Sequence, residues 1–307
     1  MQDESAILNP ERVRFEVGGP EDLAATLLAF KSPESLMLDS WTLLAIADHE
    51  DSEDVIGVAR VGRTYHGSDE LQIVMQFGII PSWFDTDIPS QLIRKVLSNI
   101  SEWGALSVQI FHPVSPSSPS AKVLKDEGFQ VRETFDTFEA DLQPLVASWH
   151  ENNERFAKYF KDLPDTEVLD ITEENMRAVA RAWSSWIGGT AEEHYDLLMR
   201  AHGGNSDHIT LEHSCVLISE GQLIGIGLGQ VRDQKLKIHA LAIAPGSRVA
   251  GLTPRILAKM GSIAQEDGAT VMKFEAGRRQ PDTQRVARRI QAKLMQSNES
   301  LAYTFAD

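Results

Sequence analysis

The 307-residue sequence has little cysteine, no long apolar run and few basic residues. Its single cysteine, Cys215, excludes a disulfide framework and a cysteine-rich metal site, and it favours a reducing compartment. No segment approaches the ~18 apolar residues of a membrane-spanning helix. The first five residues lack the basic and apolar regions of a signal peptide. These features predict a cytoplasmic protein that binds no membrane.

The charge balance is strongly acidic. Lysine and arginine total 29 against 45 aspartate and glutamate residues, which gives a formal charge of −16. This charge argues against nucleic acid as a partner and favours a small molecule or peptide, cationic if charged. Hydrophobic residues at 42% and charged residues at 24% are values typical of globular proteins. The length allows one large domain or two ordinary ones.

Internal similarity decides between one domain and two. Short segments of the first half recur in the second half at a nearly constant spacing of 164 residues. The matching pairs are 77–81 with 241–245, 92–96 with 256–260 and, at a spacing of 168, 55–58 with 223–226. A shared spacing over some fifty residues indicates a duplicated domain.

Each half has the same predicted order of elements. A strand is followed by a helix with an acidic start, two β-rich runs, a third strand ending at a proline, an amphipathic helix and a further strand. This order predicts the α/β (α+β) class, with a mixed central sheet flanked by helices in each domain. The predicted boundaries are 1–146 for the first domain, 147–165 for a linker and 166–307 for the second domain.

One strand–turn–helix segment, 241–254, has the features of an anion-binding loop. Thr253 is a suitable N-cap, and the free amides from Arg248 to Leu252 can converge on an anion at the helix N-terminus. Gly251 permits a close approach of the backbone, and Arg248 adds a positive charge. Considered alone, the segment is equally compatible with a structural turn before a helix.

The pattern Arg248-x-x-Gly251-x-Thr253 resembles the Gln/Arg-x-x-Gly-x-Gly/Ala signature of the GCN5-related N-acetyltransferase (GNAT) superfamily, with a departure at Thr253. The element order in both halves extends the resemblance to a tandem GNAT protein. The resemblance implies acetyl-CoA as co-substrate, no metal, and amine acetylation by direct attack. It implies pantetheine contacts from Leu241, Ala242 and Ile243, and pyrophosphate contacts from Arg248, Val249, Ala250, Gly251, Leu252 and Thr253.

The 164-residue spacing predicts that the first half has lost this loop. Phe84 stands where the second half has Arg248, and Asp87 stands where it has Gly251. Two carboxylates, from Asp85 and Asp87, would repel a pyrophosphate. We therefore expect acetyl-CoA to bind the second domain, while the first supports the fold and shapes the acceptor pocket.

His239 is the candidate catalytic base, because its ordinary pKa of ~6.5 suits proton transfer near neutral pH. Alternation along the strand predicts that Lys237, His239 and Leu241 share one face. The segment 239–243 resembles the histidine-containing strand of arylalkylamine N-acetyltransferases. The 164-residue spacing places Met75 at the position of His239. The alternative interpretation is a half-buried structural histidine.

The remaining candidates are less specific. Glu275 is a candidate to assist proton transfer through water. Many GNAT enzymes use a tyrosine as the acid, and Gln291 stands at that position here. Tyr303 is the candidate to replace this tyrosine. An arginine cluster is a candidate contact for the CoA 3′-phosphate; it comprises Arg278, Arg279, Arg285, Arg288 and Arg289. The main functional alternative is an inactive GNAT scaffold that binds acyl-CoA or a protein partner.

Overall fold

A computed structural model describes residues 10–19, 38–48, 52–64, 72–159, 166–206, 208–247 and 251–305. The chain divides into two compact units. Unit 1 contains the described residues up to 135 and those from Ser297 onward, and unit 2 contains the described residues from Asp136 to Gln296. No helix in the described ranges is long and apolar enough to span a membrane.

Unit 1 has a mixed sheet in the order β1-β2-β3-β4-β5-β12. Its elements are β1 (Val13–Gly18), β2 (Leu38–Asp48), β3 (Glu53–Thr64), β4 (Gln72–Ile79), α1 (Ile88–Glu102), β5 (Ser107–Ile110), α2 (Pro119–Asp126), the first part of β6 (Gln130–Asp141) and most of β12 (Lys293–Thr304). A short 3-10 helix, Pro81–Trp83, follows β4. The apolar side of α1 packs on the sheet because its buried residues recur at helical spacing, as at Leu92, Val96 and Ile100.

Unit 2 has a mixed sheet in the order β6-β11-β10-β9-β8-β7. Its elements are the rest of β6, α3 (Leu142–Tyr159), β7 (Thr166–Asp170), α4 (Glu173–Trp186), α5 (Ala191–His202), β8 (Thr210–Ser219), β9 (Gln222–Arg232), β10 (Lys235–Ile243), the 3-10 helix Pro245–Ser247, α6 (Leu252–Glu266), β11 (Val271–Gly277), α7 (Pro281–Arg289) and the start of β12. Residues of α3 and α6 build one core cluster on the sheet, and residues of α4 and α5 build another.

Local sequence explains several of these element boundaries. A Glu220-Gly221 turn joins β8 to β9, and both residues have positive φ (49° and 76°), as a tight hairpin requires. Thr172 caps α4, where its amide donates to the Asn175 side chain over 3.0 Å. Gly104 and Gly268, each with positive φ, follow the ends of α1 and α6, as is common for glycine at a helix C-terminus.

The two units repeat the same packing at equivalent glycines. A Cβ on Gly57 in β3 would lie 2.4 Å from Ile79 Cδ1, and a Cβ on Gly225 in β9 would lie 2.8 Å from Ile243 Cδ1. Each glycine therefore lets an isoleucine of the next strand lie against the sheet. The strand ends also match, because Ile80 donates to Ile56 over 2.8 Å and Ala244 donates to Ile224 over 2.8 Å. These contacts support the duplication inferred from the sequence.

The unit boundaries differ from the expected domain boundaries at two places. Residues 147–159 of the expected linker are helical and belong to α3, whose Val146 and Trp149 are buried against Gly261 of α6. The polar and aromatic composition that suggested a linker is that of an amphipathic helix. Residues from Ser297 onward were expected in the second domain but pack in unit 1, where Tyr303 pairs with Val108 of β5.

Candidate functional site in unit 2

The loop between β10 and α6 carries the predicted phosphate site. Arg248, Val249 and Ala250 lie outside the described residues. Helix α6 begins at Leu252, so its N-cap is Gly251 and not the predicted Thr253. The φ angle of Gly251 is 97°, in the left-handed region that favours glycine. Because glycine has no side chain to cap the helix, the positive N-terminal end of α6 is left for another acceptor.

The same loop in unit 1 is closed by its own side chains. The N-cap of α1 is Asp87, with a right-handed φ of −84°. The Thr86 hydroxyl accepts a hydrogen bond from the amide of Ile88 over 3.3 Å, and the Asp87 carboxylate accepts one from the Gln91 side chain over 2.6 Å. An amide at the start of α1 is therefore satisfied internally, and negative charge stands where the second copy has Gly251. This geometry supports the expected loss of phosphate binding in the first copy.

Strand β10 contains a β-bulge at His239. The antiparallel pairing with β9 runs from Lys235 to Ile238, omits His239 and resumes at Ala240. The parallel pairing with β11 ends at Ile238, opposite Phe274. The bulge and the end of this pairing therefore coincide, and β10 separates from β11 at His239.

The bulge corrects the equivalence of His239 and Met75. In unit 1, Met75 pairs with Val61 on one side and with Ile110 on the other. In unit 2, Ile238 holds the equivalent place, because it pairs with Gly229 and Phe274, the counterparts of Val61 and Ile110 at spacings of 168 and 164. His239 is therefore one residue more than β4 has at this place. The β3–β4 pairing of unit 1 runs without interruption and contains no equivalent of His239.

The bulge also changes which side chains share a face. Lys237, His239 and Leu241 were expected on one face, but Leu241 packs with the core cluster of α3 and α6, whereas Ala240 is buried with α4 and α5. The inserted residue reverses the alternation after His239. The predicted pantetheine contacts Leu241 and Ile243 therefore have side chains on the α6 face, and Ala242 packs on the other face.

The His239 ring is largely buried. Its Nε2 lies 3.5 Å from the Gln230 amide nitrogen, and its ring centroid lies 6.0 Å from that of His208 at an angle of 72°. Burial is the largest cause that lowers the pKa of His239 to about 3, and the neighbouring Lys237 and His208 contribute to the same shift. The ring is therefore neutral at pH 7 and has one acceptor nitrogen, Nε2, which a closer donor can take over from the long 3.5 Å contact with the Gln230 amide. The sequence predicted a base with an ordinary pKa of ~6.5. In the fold the pKa of His239 is well below that value.

A small cleft opens where β10 and β11 separate. It is lined by Lys237, Ile238, His239, Lys273, Phe274 and Glu275. The predicted auxiliary residue Glu275 is exposed at this cleft. The sequence placed Lys237 on the strand face of His239 but predicted no role for it. It did not point to Lys273, because a lone lysine in a strand forms no recognisable motif. Only the register of β10 against β11 brings the two together.

Two other candidate residues, Arg278 and Tyr303, make their contacts elsewhere. The Arg278 guanidinium forms an ion pair with Asp136, with Nε 3.2 Å from Oδ2. Tyr303 contacts Phe129 in unit 1, with ring centroids 5.5 Å apart, and so is not part of unit 2. Cys215 is buried, which raises its thiol pKa to about 12 and makes it a poor nucleophile. Within the described ranges, no group of three or more His, Cys, Asp or Glu residues is arranged to hold a metal ion.

Comparisons with known proteins connect this geometry to a fold. No family model and no curated protein sequence matches the chain. Solved structures do match: a GCN5-related N-acetyltransferase from Sphaerobacter thermophilus is 15% identical, with a TM-score of 0.64 and 97% of each chain covered. A tandem GNAT protein from the clavulanic acid biosynthesis pathway is 11% identical, with a TM-score of 0.59, 96% of this chain covered and 100% of that chain.

A third match is the GCN5-related glucosamine N-acetyltransferase region of a fungal multi-domain β-N-acetylglucosaminidase. It is 12% identical with a TM-score of 0.68, and the match covers 95% of this chain and 38% of that protein. At these identities the comparisons establish the fold. The chain therefore has the tandem GNAT fold that the Arg-x-x-Gly-x-Thr motif and the repeated element order predicted.

Proposed function

We propose that unit 2 is an acetyl-CoA-dependent N-acetyltransferase that acts on the amine of a small molecule or peptide. The observation that carries the proposal is the coincidence of three features on one strand–loop–helix segment. These are the bulge at His239, the separation of β10 from β11, and an α6 N-terminus capped by Gly251. The bulge and the glycine cap are absent at the equivalent segment of unit 1, whereas the parallel pairing of β4 with β5 ends at the equivalent pair, Met75 and Ile110.

The residues present fit acetyl-CoA as co-substrate. The amides at the start of α6 and the αL geometry of Gly251 suit a pyrophosphate, with Arg248 as the accompanying charge from the sequence. The end of the β10–β11 pairing at Ile238 supports contacts from backbone groups of Leu241, Ala242 and Ile243 to the pantetheine arm, along the strand edge that faces away from β9. When bound, the co-substrate supplies the activated acyl group as a thioester.

In the proposed reaction, the neutral amine attacks the thioester carbonyl carbon. A C–N bond forms, the C–S bond breaks, CoA leaves as a thiolate, and the amine nitrogen loses one proton. The unprotonated His239 ring accepts a hydrogen bond from the attacking amine and passes the proton to water. A ring with a pKa of about 3 holds this proton only briefly at pH 7. His239 therefore positions the amine and transmits the proton without storing it.

The inactive-scaffold alternative has one observation in its favour. The place of the family's acidic tyrosine is taken by Gln291, which lies just after α7 with a φ of 54°. A thiolate with a reference pKa of ~8.5 leaves without a dedicated acid, so this replacement is compatible with catalysis. Turnover with an amine separates the two functions.

Calorimetric titration of the full chain with acetyl-CoA tests the proposal. We expect one site per chain, followed by CoA release when an acceptor amine from a screen is added. Two sites per chain would show that the unit 1 loop binds CoA after all. Binding without CoA release in any amine screen would support the scaffold, and no binding at millimolar acetyl-CoA would overturn both functions.

A further inference from the structure

Two lysines lie side by side at the cleft of unit 2. Lys237 of β10 and Lys273 of β11 are direct partners in the parallel ladder, and both are half-buried. Like charges on directly adjacent strand positions repel and destabilise a sheet. Among the described residues, no ion pair joins either ammonium group to a carboxylate, whereas Lys235 on the same strand lies 2.6 Å from Glu139. A bound anion would offset this repulsion.

The lysines share the cleft with the reactive histidine. Lys237, Lys273 and His239 all line it. Paired residues of parallel strands project to the same face, so both ammonium groups are presented together. Gln230, which pairs with Lys237 from β9, is neutral. Glu275 is the one carboxylate among the described residues that line the cleft and is exposed, so these described residues carry more positive than negative charge.

We propose that the substrate of unit 2 carries a carboxylate, which Lys237 and Lys273 bind at the cleft beside His239. This inference rests on the proposed acyl transfer and specifies the class of its substrate. It reverses the expectation of a cationic acceptor based on the formal charge of −16. Charges beyond ~8 Å are largely screened at physiological ionic strength, so the two adjacent lysines determine the local preference.

The arrangement also affects His239. The charge of Lys237 is one of the causes that lower the His239 pKa, after burial. A carboxylate bound by Lys237 offsets that charge and raises the pKa towards the ordinary value. A carboxylate bound at the cleft would therefore strengthen His239 as a hydrogen-bond acceptor for the attacking amine.

The carboxylate has two chemical sources, namely the acceptor amine and the far end of the acyl chain. Calorimetry distinguishes them with matched probes. The acyl arm compares succinyl-CoA with butyryl-CoA, which has a methyl group in place of the carboxylate. The acceptor arm uses protein saturated with CoA and compares a panel of amino acids, each with its decarboxylated amine. We expect at least about tenfold tighter binding of the carboxylate probe in one arm.

The double variant Lys237→Gln/Lys273→Gln should abolish that preference without loss of stability, because it removes a repulsion. The matched control Lys235→Gln, on the same strand, should retain the preference. Equal binding of both probes in both arms, or a preference that persists in the double variant, would overturn the inference. Acetyl-CoA binding is measured on the same samples, so a failure of the proposed function is recognised separately as loss of that binding.

Discussion

Strands β4 and β10 occupy the same place in two copies of one fold, and they differ by one inserted residue. Strand β4 pairs without interruption with β3 from Gln72 to Ile79. Strand β10 bulges at His239 and separates from β11 at the same point. The comparison shows that a bulge places one inserted polar residue beside a cleft while the later residues keep the faces of their counterparts. Leu241 and Ile243 pack on the α6 side of the sheet, as Phe77 and Ile79 pack on the α1 side.

The next residues of the two strands show a second difference. Arg60 and Gln76 are cross-strand partners in unit 1, and the equivalent pair in unit 2 is Leu228 and Ala240, both buried. Arg60 donates to the Ser40 hydroxyl over 2.7 Å, and burial lowers its pKa. Unit 1 thus has polar residues on a face that unit 2 packs with apolar residues. The copies diverged in their interior as well as at the loop.

The largest expected effect concerns the loop. Gly251→Asp introduces the residue that unit 1 has at this position, and we expect acetyl-CoA affinity to fall at least about 100-fold, because a carboxylate would face the pyrophosphate. Gly268→Asp is the control: Gly268 also has positive φ (81°) and open space around it, at the other end of α6. Calorimetry measures both. Unchanged affinity in Gly251→Asp would contradict the phosphate-loop assignment.

The next effect concerns the inserted residue. His239→Ala removes the hydrogen-bond acceptor and should lower kcat about 100-fold while leaving acetyl-CoA affinity nearly intact. The control is His150→Ala, because His150 is exposed and its ring bonds only Ser262 among the contacts seen, 2.9 Å away. Steady-state kinetics from pH 6 to 9 provide the check. Wild-type turnover across that range would remove His239 from the mechanism.

The depressed pKa of His239 predicts how stability depends on pH. In the unfolded chain this ring titrates near 6.5, and in the folded chain near 3. Between these values the unfolded state binds the additional proton, so stability is lost as pH falls from about 6.5 to 3. Between pH 7 and pH 4.5, the free energy of unfolding of His239→Gln should therefore fall by about 2 to 3 kcal/mol less than that of wild type.

Urea unfolding at the two pH values measures this difference. The other titrating groups are shared by both proteins, so they cancel in the comparison. An identical acid response of wild type and His239→Gln would mean that the ring is solvated in the folded protein.

The smallest expected effect tests the duplication itself. Gly57→Ala and Gly225→Ala each force a Cβ against an isoleucine, and we expect each to lower the free energy of unfolding by about 1 to 3 kcal/mol. Gly246→Ala, where a Cβ would meet nothing, should have little effect. Thermal unfolding of the three variants measures the costs. A large loss at only one of the two equivalent glycines would show that the copies no longer share this packing.

Much of the fold could be predicted because repeated apolar patterns survive where both copies bury the same surface. The match of 77–81 with 241–245 lies at such a place, and its strand-end hydrogen bonds coincide. The bulge could not be predicted, since the segments before it, 72–76 and 235–239, are too different to align and no residue type marks a bulge. The sequence predicted the strand–turn–helix loop around Gly251 correctly. It placed the helix N-cap at Thr253, because threonine is a common N-cap, whereas the N-cap is Gly251.

The placement of β12 in unit 1 affects the order in which the protein is completed during synthesis. Tyr303 pairs with Val108, almost two hundred positions earlier in the chain. On the ribosome, strands β1 to β5 emerge before the described residues of unit 2, yet the sheet of unit 1 lacks the second partner of β5 until translation has passed β12. Contacts so distant in sequence form slowly. The first copy is therefore translated first and completed last.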